Sequence, residues 1–247
     1  MNKIKLAKDI FVYENFLTPE ECSAAINVLN KQKESNKIEW MPISFYESYS
    51  SVLPQDGDPE LKEFGLPDNF FSEIKKRIID TVAEVSNNPS EKIVQIGYHT
   101  QKWEPGAYAR PHSDNTDMDG GESPFERSRY ASFLYLNDDF EGGELKFIKQ
   151  DISIKPKVGM LATFSGSFHN IHEVTIVKSG VRYTIGSFWD DKEESDYPEE
   201  TRIKWAEQMK EIREHQEIQR SEWQDLLKKG YKIDLNNNKY KFGDNNE

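Results

Sequence analysis

The chain has 247 residues, enough for one sizeable core, and its formal charge of −12, from 44 acidic and 32 basic residues, argues against an anion-seeking surface. Double-stranded nucleic acid is therefore not expected as the main partner, since phosphate neutralisation supplies much of such affinity. The single cysteine, Cys22, excludes an intrachain disulfide and fits a reducing compartment; the opening MNKIKLAKDIFVYENF is too polar for a secretory core, and no apolar run approaches the roughly 20 residues that span a bilayer. No membrane partner is expected, and the default location is cytoplasmic or otherwise soluble intracellular. Hydrophobic residues make up only 36% of the chain, but 14 Phe, 11 Tyr and 5 Trp let few positions bury much area.

Thr18-Pro19-Glu20-Glu21 reads as a helix start: an N-cap, a first-turn proline and an acid three residues beyond the cap. Ala24, Ala25, Val28 and Leu29 then give one apolar stripe. Residues 40 to 69 are irregular in pattern and rich in Ser, Gly, Pro and Asp, which predicts a surface segment or a substrate-facing loop. Phe70, Phe71, Ile74, Ile78, Val82 and Val85 recur at helical spacing and predict a second helix over 68 to 86. From Lys92 to Trp103 the pattern changes to a long strand. Further strands are predicted at Tyr130 to Leu136, Glu144 to Ile148, Asp151 to Ile154, Met160 to Phe164, Glu173 to Val177 and Val181 to Trp189. Short separators containing Gly, Pro, Asp or Asn favour an antiparallel sandwich or barrel over βαβ units. Residues 198 to 229 place Trp205, Met209 and Ile212, then Trp223, Leu226 and Leu227, at helical spacing across a polar centre, which predicts a broken pair of packed helices. Their stripe is too thin to close a core of its own. Bracing the barrel is the simpler role for them; a dimer surface or a substrate clamp is the alternative. The tail DLNNNKYKFGDNNE has no core-forming pattern and is expected to end loosely. A single domain over 1–247 is predicted, with N-terminal helices in 18–86, a barrel core in 92–190 and a C-terminal helical extension in 198–229.

The candidate chemistry starts from five histidines, His99, His112, His169, His172 and His215. On a strand, residues two apart point to the same face, so His112 and Asp114 can offer nitrogen and oxygen to one ion where a strand ends. A third ligand from a distant strand would complete one face of an octahedron. Two imidazoles and one carboxylate suit Fe(II), leaving adjacent positions for a chelating cosubstrate and oxygen. Zinc could use the same ligands, but a hydrolytic site would want a recognisable acid or base beside its water, and the spacing here supplies none as convincingly as it supplies the Fe(II) set.

The stretches WEPGAYARPHSDN, YASFLYLNDDFEGGELKF, KPKVGMLATF and HEVTIVKSGVRYTIGSFW, in that order, resemble successive signatures of the prolyl 4-hydroxylase-like 2-oxoglutarate oxygenases. The resemblance covers residues 93 to 189, and the FLTPEEC helix start is similar to the family's lead-in. It implies an all-β core with flanking helices (α+β), a double-stranded β-helix of the jelly-roll, cupin-like kind. It also implies that His112, Asp114 and His172 hold Fe(II). Arg182, ten positions after His172, matches the residue that pairs with the distal carboxylate of 2-oxoglutarate, a task suited to a bidentate guanidinium. Tyr135 matches a tyrosine that supports that carboxylate. Thr184, two residues past Arg182, should face the same way and offer a second hydroxyl. The glycines of Glu141 to Leu145 suit a tight turn or close backbone approach. Two departures stand out. The family's tyrosine three residues before the first histidine is Ala109 here, with Tyr108 beside it, and His169 competes with His172, although the HEV motif and the ten-residue spacing fit only His172.

The resemblance implies hydroxylation of a C–H bond with 2-oxoglutarate and O2 consumed and succinate and CO2 released, ascorbate serving as reductant. Asp114 favours hydroxylation over halogenation, which would want a small residue there. The expected substrate is a prolyl residue in a peptide or protein, converted to 4-hydroxyproline. A free amino acid or other small molecule is the alternative, and a non-catalytic jelly-roll binding protein is the rival of another class. Oligomeric state is left open.

Overall fold

The computed structural model describes residues 1–43, 48–229, 231–234 and 239–242. The chain opens with a hairpin, β1 (Asn2–Ala7) and β2 (Ile10–Glu14), followed by α1 (Pro19–Glu34). Thr18 caps α1 as predicted: its hydroxyl accepts from the Glu21 N–H at 3.1 Å, and the Glu21 carboxylate accepts from the Thr18 N–H at 2.8 Å. Next come β3 (Met41–Ile43), β4 (Ser48–Ser51), the short α2 (Pro59–Glu63) and α3 (Phe70–Ser86). The barrel strands follow: β5 (Val94–Trp103), β6 (Ala109–His112), β7 (Tyr130–Tyr135), β8 (Glu141–Gly142), β9 (Leu145–Phe147) and β10 (Ile152–Ile154). The last of them are β11 (Leu161–Ser165), β12 (His172–Val174), β13 (Val177–Ser179) and β14 (Arg182–Asp190). The chain then forms α4 (Glu199–Lys228) and a terminal hairpin, β15 (Tyr231–Asp234) with β16 (Lys239–Phe242).

An eight-stranded sheet in the order β1-β2-β11-β7-β14-β5-β4-β3 faces a four-stranded sheet in the order β10-β9-β12-β6, with β13-β8 beside them. Alternation along each strand divides the apolar side chains. Phe133, Tyr135, Ala162, Phe164, Val12 and Ile10 point inward and meet Leu145, Phe147 and Ile154 from the smaller sheet. Tyr13, Leu134, Leu161, Ile185 and Trp189 point outward under Val28 and Leu29 of α1 and Ile74, Ile78 and Val82 of α3. This is the jelly-roll architecture expected from the sequence.

Five local expectations are corrected. The opening hairpin, not anticipated as strands, extends the large sheet because Ile10 to Tyr13 are all buried against β11. Residues 40 to 69 are not wholly irregular: β4 pairs with β5, and Trp40, Leu61 and Leu66 enter the outer core. The strand foreseen over Glu173 to Val177 divides into β12 and β13, which pair with different partners. The 198–229 region is one continuous helix, since its polar centre contains good helix formers and no Gly or Pro, with Lys210 and Glu214 paired one turn apart. Trp205 is buried against Tyr197, whereas the side chains of Trp223, Leu226 and Leu227 lie outside the described residues. The tail, expected to end loosely, carries the β15–β16 hairpin, both of whose strands are built from β-forming Tyr, Ile and Phe among lysines.

Candidate active site

Strand pairing brings the two histidines together. β12 runs antiparallel to β6 with His172 directly opposite His112, so residues 60 positions apart in the chain place their rings 4.3 Å apart between centroids. β6 ends at His112, and Asp114 follows it on the same side. His112, Asp114 and His172 are all buried and offer ligand atoms within 4.8 Å of one another, the one such group of at least three His, Cys, Asp or Glu among the described residues. His169 sits in the short 3-10 turn Phe168–Asn170 and is exposed, so the geometry selects His172 over it.

Hydrogen bonding fixes which nitrogens face the gap. His112 Nδ1 lies 2.7 Å from the Arg110 carbonyl oxygen, and His172 Nδ1 lies 2.9 Å from that of Asn170. A carbonyl only accepts, so each Nδ1 carries the proton and each Nε2 is left as a lone-pair donor. The two Nε2 atoms stand 3.6 and 3.8 Å from Asp114 Oδ1. Burial pushes the His172 pKa down to about 4, against the opposing pull of Asp114, so the imidazole is neutral and its lone pair available. Neither Asp114 oxygen has a hydrogen-bond partner among the described residues. An unsatisfied buried carboxylate is costly, and a divalent cation facing it and two neutral imidazoles would satisfy all three groups. The donor set therefore fits a first-row metal such as Fe(II).

A narrow cleft extends from the imidazoles to Arg182, with Gln101, Trp103 and Phe133 in its walls. Arg182 is 1% exposed; its guanidinium lies 4.9 Å from the Trp103 ring centroid and 5.1 Å from that of Tyr135. Its Nε and one terminal nitrogen have no hydrogen-bond partner among the described residues, and neither has the Tyr135 hydroxyl. Burial lowers the Arg182 pKa and raises that of Tyr135, each partly offset by the other's proximity. Arg182 thus presents unsatisfied donors to the cleft end with the Tyr135 hydroxyl near it, a fit for a carboxylate that would bring its own charge.

Thr184 behaves differently from the sequence expectation. Its hydroxyl donates to Gln101 Oε1 at 3.2 Å, and the Gln101 amide nitrogen stands 3.2 Å from His99 Nε2, so Thr184 reaches the cleft only through Gln101. Gln101 and Trp103 were not singled out from sequence. The signal was there in the period of two, because Trp103 and Gln101 pair directly with Arg182 and Thr184 in the β14–β5 register. Ala109 is buried beside Trp103 and Val174, so no hydroxyl occupies that position, and Tyr108 is half-buried. Gly143 adds a steric condition: at φ +63°, a Cβ there would lie 2.9 Å from Arg182 Cδ.

Fold and site together define a jelly roll with a buried His-Asp-His centre. Residues 98–190 match the 2OG-Fe(II) oxygenase superfamily. Human prolyl 3-hydroxylase 2 is 44% identical over 61 residues, 23% of this chain and 9% of that protein, so the chain spans about a tenth of that curated relative. The viral collagen prolyl hydroxylase of Paramecium Bursaria Chlorella virus-1, solved with 2-oxoglutarate, aligns over 73% of this chain and 94% of its own at TM-score 0.54 and 20% identity. A prolyl hydroxylase from Trichoplax adhaerens, solved with a hypoxia inducible factor peptide, aligns over 75% and 84% at TM-score 0.52 and 17% identity. The stretch that carries all three candidate ligands and Arg182 thus matches that superfamily's model, and the fold around it is like that of solved prolyl hydroxylases.

Proposed function

We propose that the protein hydroxylates a prolyl residue in a peptide or protein, with Fe(II) held by His112, Asp114 and His172 and 2-oxoglutarate anchored by Arg182 and Tyr135. The observation that carries this reading is the pairing, in one cleft, of an unsatisfied buried carboxylate between two imidazoles with an unsatisfied buried guanidinium. One end wants a cation and the other an anion, which is what a metal and a chelating dicarboxylate supply together.

Iron bound there would supply the redox chemistry that couples O2 reduction and cosubstrate decarboxylation to substrate oxidation. Overall, a C–H bond, O2 and 2-oxoglutarate become C–OH, succinate and CO2. The protein's own contribution is placement. The Nδ1–H bonds to Arg110 and Asn170 hold the imidazole rings, Arg182 fixes the cosubstrate's length and direction through its distal carboxylate, and Trp103, Phe133 and Leu145 keep the cleft walls apolar and dry. Thr184 and Gln101 form a positioning pair beneath Arg182.

The substrate class rests on likeness to enzymes named for prolyl hydroxylation, one of them solved with a peptide. The resemblance in sequence points to C4 of proline, whereas the curated relative is a prolyl 3-hydroxylase. A reducing intracellular setting, with ascorbate as reductant, belongs to this reading and agrees with the buried free thiol of Cys22. Among the described residues no helix is long and apolar enough to cross a membrane.

The test is succinate formation by purified protein with Fe(II), 2-oxoglutarate and ascorbate against a panel of proline-containing peptides and free amino acids. Mass spectrometry reads the added oxygen, and NMR of the product assigns it to C3 or C4. Peptide-dependent succinate with one oxygen gained on proline supports the reading. Turnover on free amino acids alone replaces the substrate class, and no metal-dependent succinate with any panel member refutes the reaction.

A further inference from the structure

Asp114 is held by one residue from the far side of the site, Gly166, which lies between β11 and the turn leading to His172. The Gly166 carbonyl oxygen accepts from the Asp114 N–H at 2.9 Å, the Asn115 N–H at 3.2 Å and the Ser113 hydroxyl at 2.8 Å. Its own N–H donates to the Arg129 carbonyl at 2.9 Å. The segment carrying Asp114 and the start of β7 are thus both tied to this single peptide. Ser113 is braced in turn by the Thr116 hydroxyl, which donates to it at 2.8 Å.

Why this position is glycine follows from space, since Gly166 is not among the residues with positive φ. A Cβ built on it would lie 2.7 Å from Asp114 Cβ, 2.9 Å from Asp114 Oδ2 and 2.6 Å from the Ser128 carbonyl oxygen. Contacts that short do not survive in folded proteins, so something must shift. The Ser128 oxygen belongs to the backbone and Asp114 Cβ to the root of its side chain, so neither can move aside by rotating a flexible end. The Asp114 carboxylate would be turned or pushed away from the two Nε2 atoms that stand 3.6 and 3.8 Å from it.

We propose that Gly166 is a positioning residue of the metal centre: its missing side chain and its thrice-used carbonyl together set where the Asp114 carboxylate stands between His112 and His172. This rests on the reading of Asp114 as a ligand. The mechanical consequence is specific. An added methyl acts on the metal through Asp114, not through the imidazoles, which are oriented by Arg110 and Asn170. Loss of one partner behind a ligand typically lowers metal affinity by about 10–100-fold.

The experiment is Co(II) titration of the metal-free full chain, followed by visible absorption, for wild type, Gly166→Ala, Ser113→Ala and Asp114→Ala, with thermal melting of each metal-free protein alongside. Gly166→Ala is expected to weaken Co(II) binding by about 10-fold or more and to change the absorption band. Metal-free melting of Gly166→Ala should fall as well, because the same Cβ meets the Ser128 carbonyl, whereas Ser113→Ala should melt close to wild type. Ser113→Ala, which removes one donor to the Gly166 carbonyl without adding an atom, is expected to weaken binding by about threefold, and it decides the matter should Gly166→Ala fail to fold. Wild-type affinity and spectrum in a folded Gly166→Ala, with Asp114→Ala impaired, would overturn this proposal alone. If Gly166→Ala does not fold, wild-type affinity in Ser113→Ala would overturn it. Wild-type affinity in Asp114→Ala would overturn the ligand reading with it.

Discussion

Arg182 is the residue whose surroundings say most about what the cleft would bind. A guanidinium at 1% exposure, walled by Trp103 and Tyr135 and with two nitrogens unpartnered, is held in a state that only an anion can satisfy well. Arg182→Gln should therefore raise the 2-oxoglutarate concentration for half-maximal succinate formation by roughly 10-fold or more, the scale of a charge-assisted hydrogen bond of ~1.5–3 kcal/mol. Metal affinity should not change, because no metal ligand is touched; unaltered cosubstrate dependence would remove the assigned role. His99 offers a second test, of stability and not of chemistry. Burial lowers its pKa to about 4, while in the unfolded chain it titrates near its ordinary value of about 6.5. The folded state thus resists a proton that the unfolded state takes up. This contribution to stability is present in full above pH ~6.5 and is lost progressively as the pH falls towards ~4. Between pH ~7.5 and ~5 the loss should be about 1–2 kcal/mol, and His99→Gln should flatten that part of the melting-temperature profile. Equal slopes in the two proteins would mean that His99 is not held neutral.

The segment from Ser113 to Arg129, which carries the candidate ligand Asp114, is anchored as an element by the end of β14 and the start of α4. Arg127 donates to the fully buried Asp190 at 3.0 Å and to Glu194 at 2.9 Å, Tyr197 donates to Asp190 at 3.0 Å, and Lys204 pairs with Glu122. From the C-terminal extension itself, Lys204 joins this anchor through its pair with Glu122 and Trp205 through its packing on Tyr197. Arg127→Met should cost about 2–3 kcal/mol, since Asp190 keeps only part of its compensation, and denaturant melts would show it; a change within ~0.5 kcal/mol would mean that Arg129 and Tyr197 suffice. How legible each element was depends on how local its cause is. The α1 start was readable because Thr18, Pro19 and Glu21 form the cap among themselves, and α3 because its stripe is long and strongly periodic. The β1–β2 hairpin was not, because β1 shows no buried face and β2 is buried throughout, so neither has the alternation that marks a half-buried strand. β3 and β4 are three and four residues long, too short for a period to declare itself, and are strands only because β5 offers β4 an edge and β4 offers one to β3. The same rule holds within the site. His112 and Asp114 were visible as a two-residue spacing. Gly166 was not, since only the folded approach of its segment to Asp114 gives a glycine there any meaning.

At the scale of the whole molecule, the barrel sets two groups of unsatisfied buried polar atoms, those of Asp114 and of Arg182, beside one cleft with apolar walls. The unpaired Asp114 oxygens and the unpaired Arg182 nitrogens are both buried, and both destabilise the ligand-free fold. Their neutralisation by bound metal and cosubstrate should therefore appear as thermal stability, by simple mass action. At a ligand concentration about 100 times its dissociation constant the gain is roughly 2.7 kcal/mol, and for a chain of this length about 2–4 °C follows from each kcal/mol. Mn(II) added to metal-free protein under argon should raise the melting temperature by roughly 5–10 °C, and EDTA should reverse it. 2-Oxoglutarate should add a further rise only once the metal is present, because the metal supplies half of its anchorage. Two variants separate the ends of the cleft: His112→Ala should lose both increments, whereas Arg182→Gln should keep the metal increment and lose most of the second. A 2-oxoglutarate shift of full size without metal, or in Arg182→Gln, would show that the two ends do not act on one ligand, and the common cleft would lose its functional meaning.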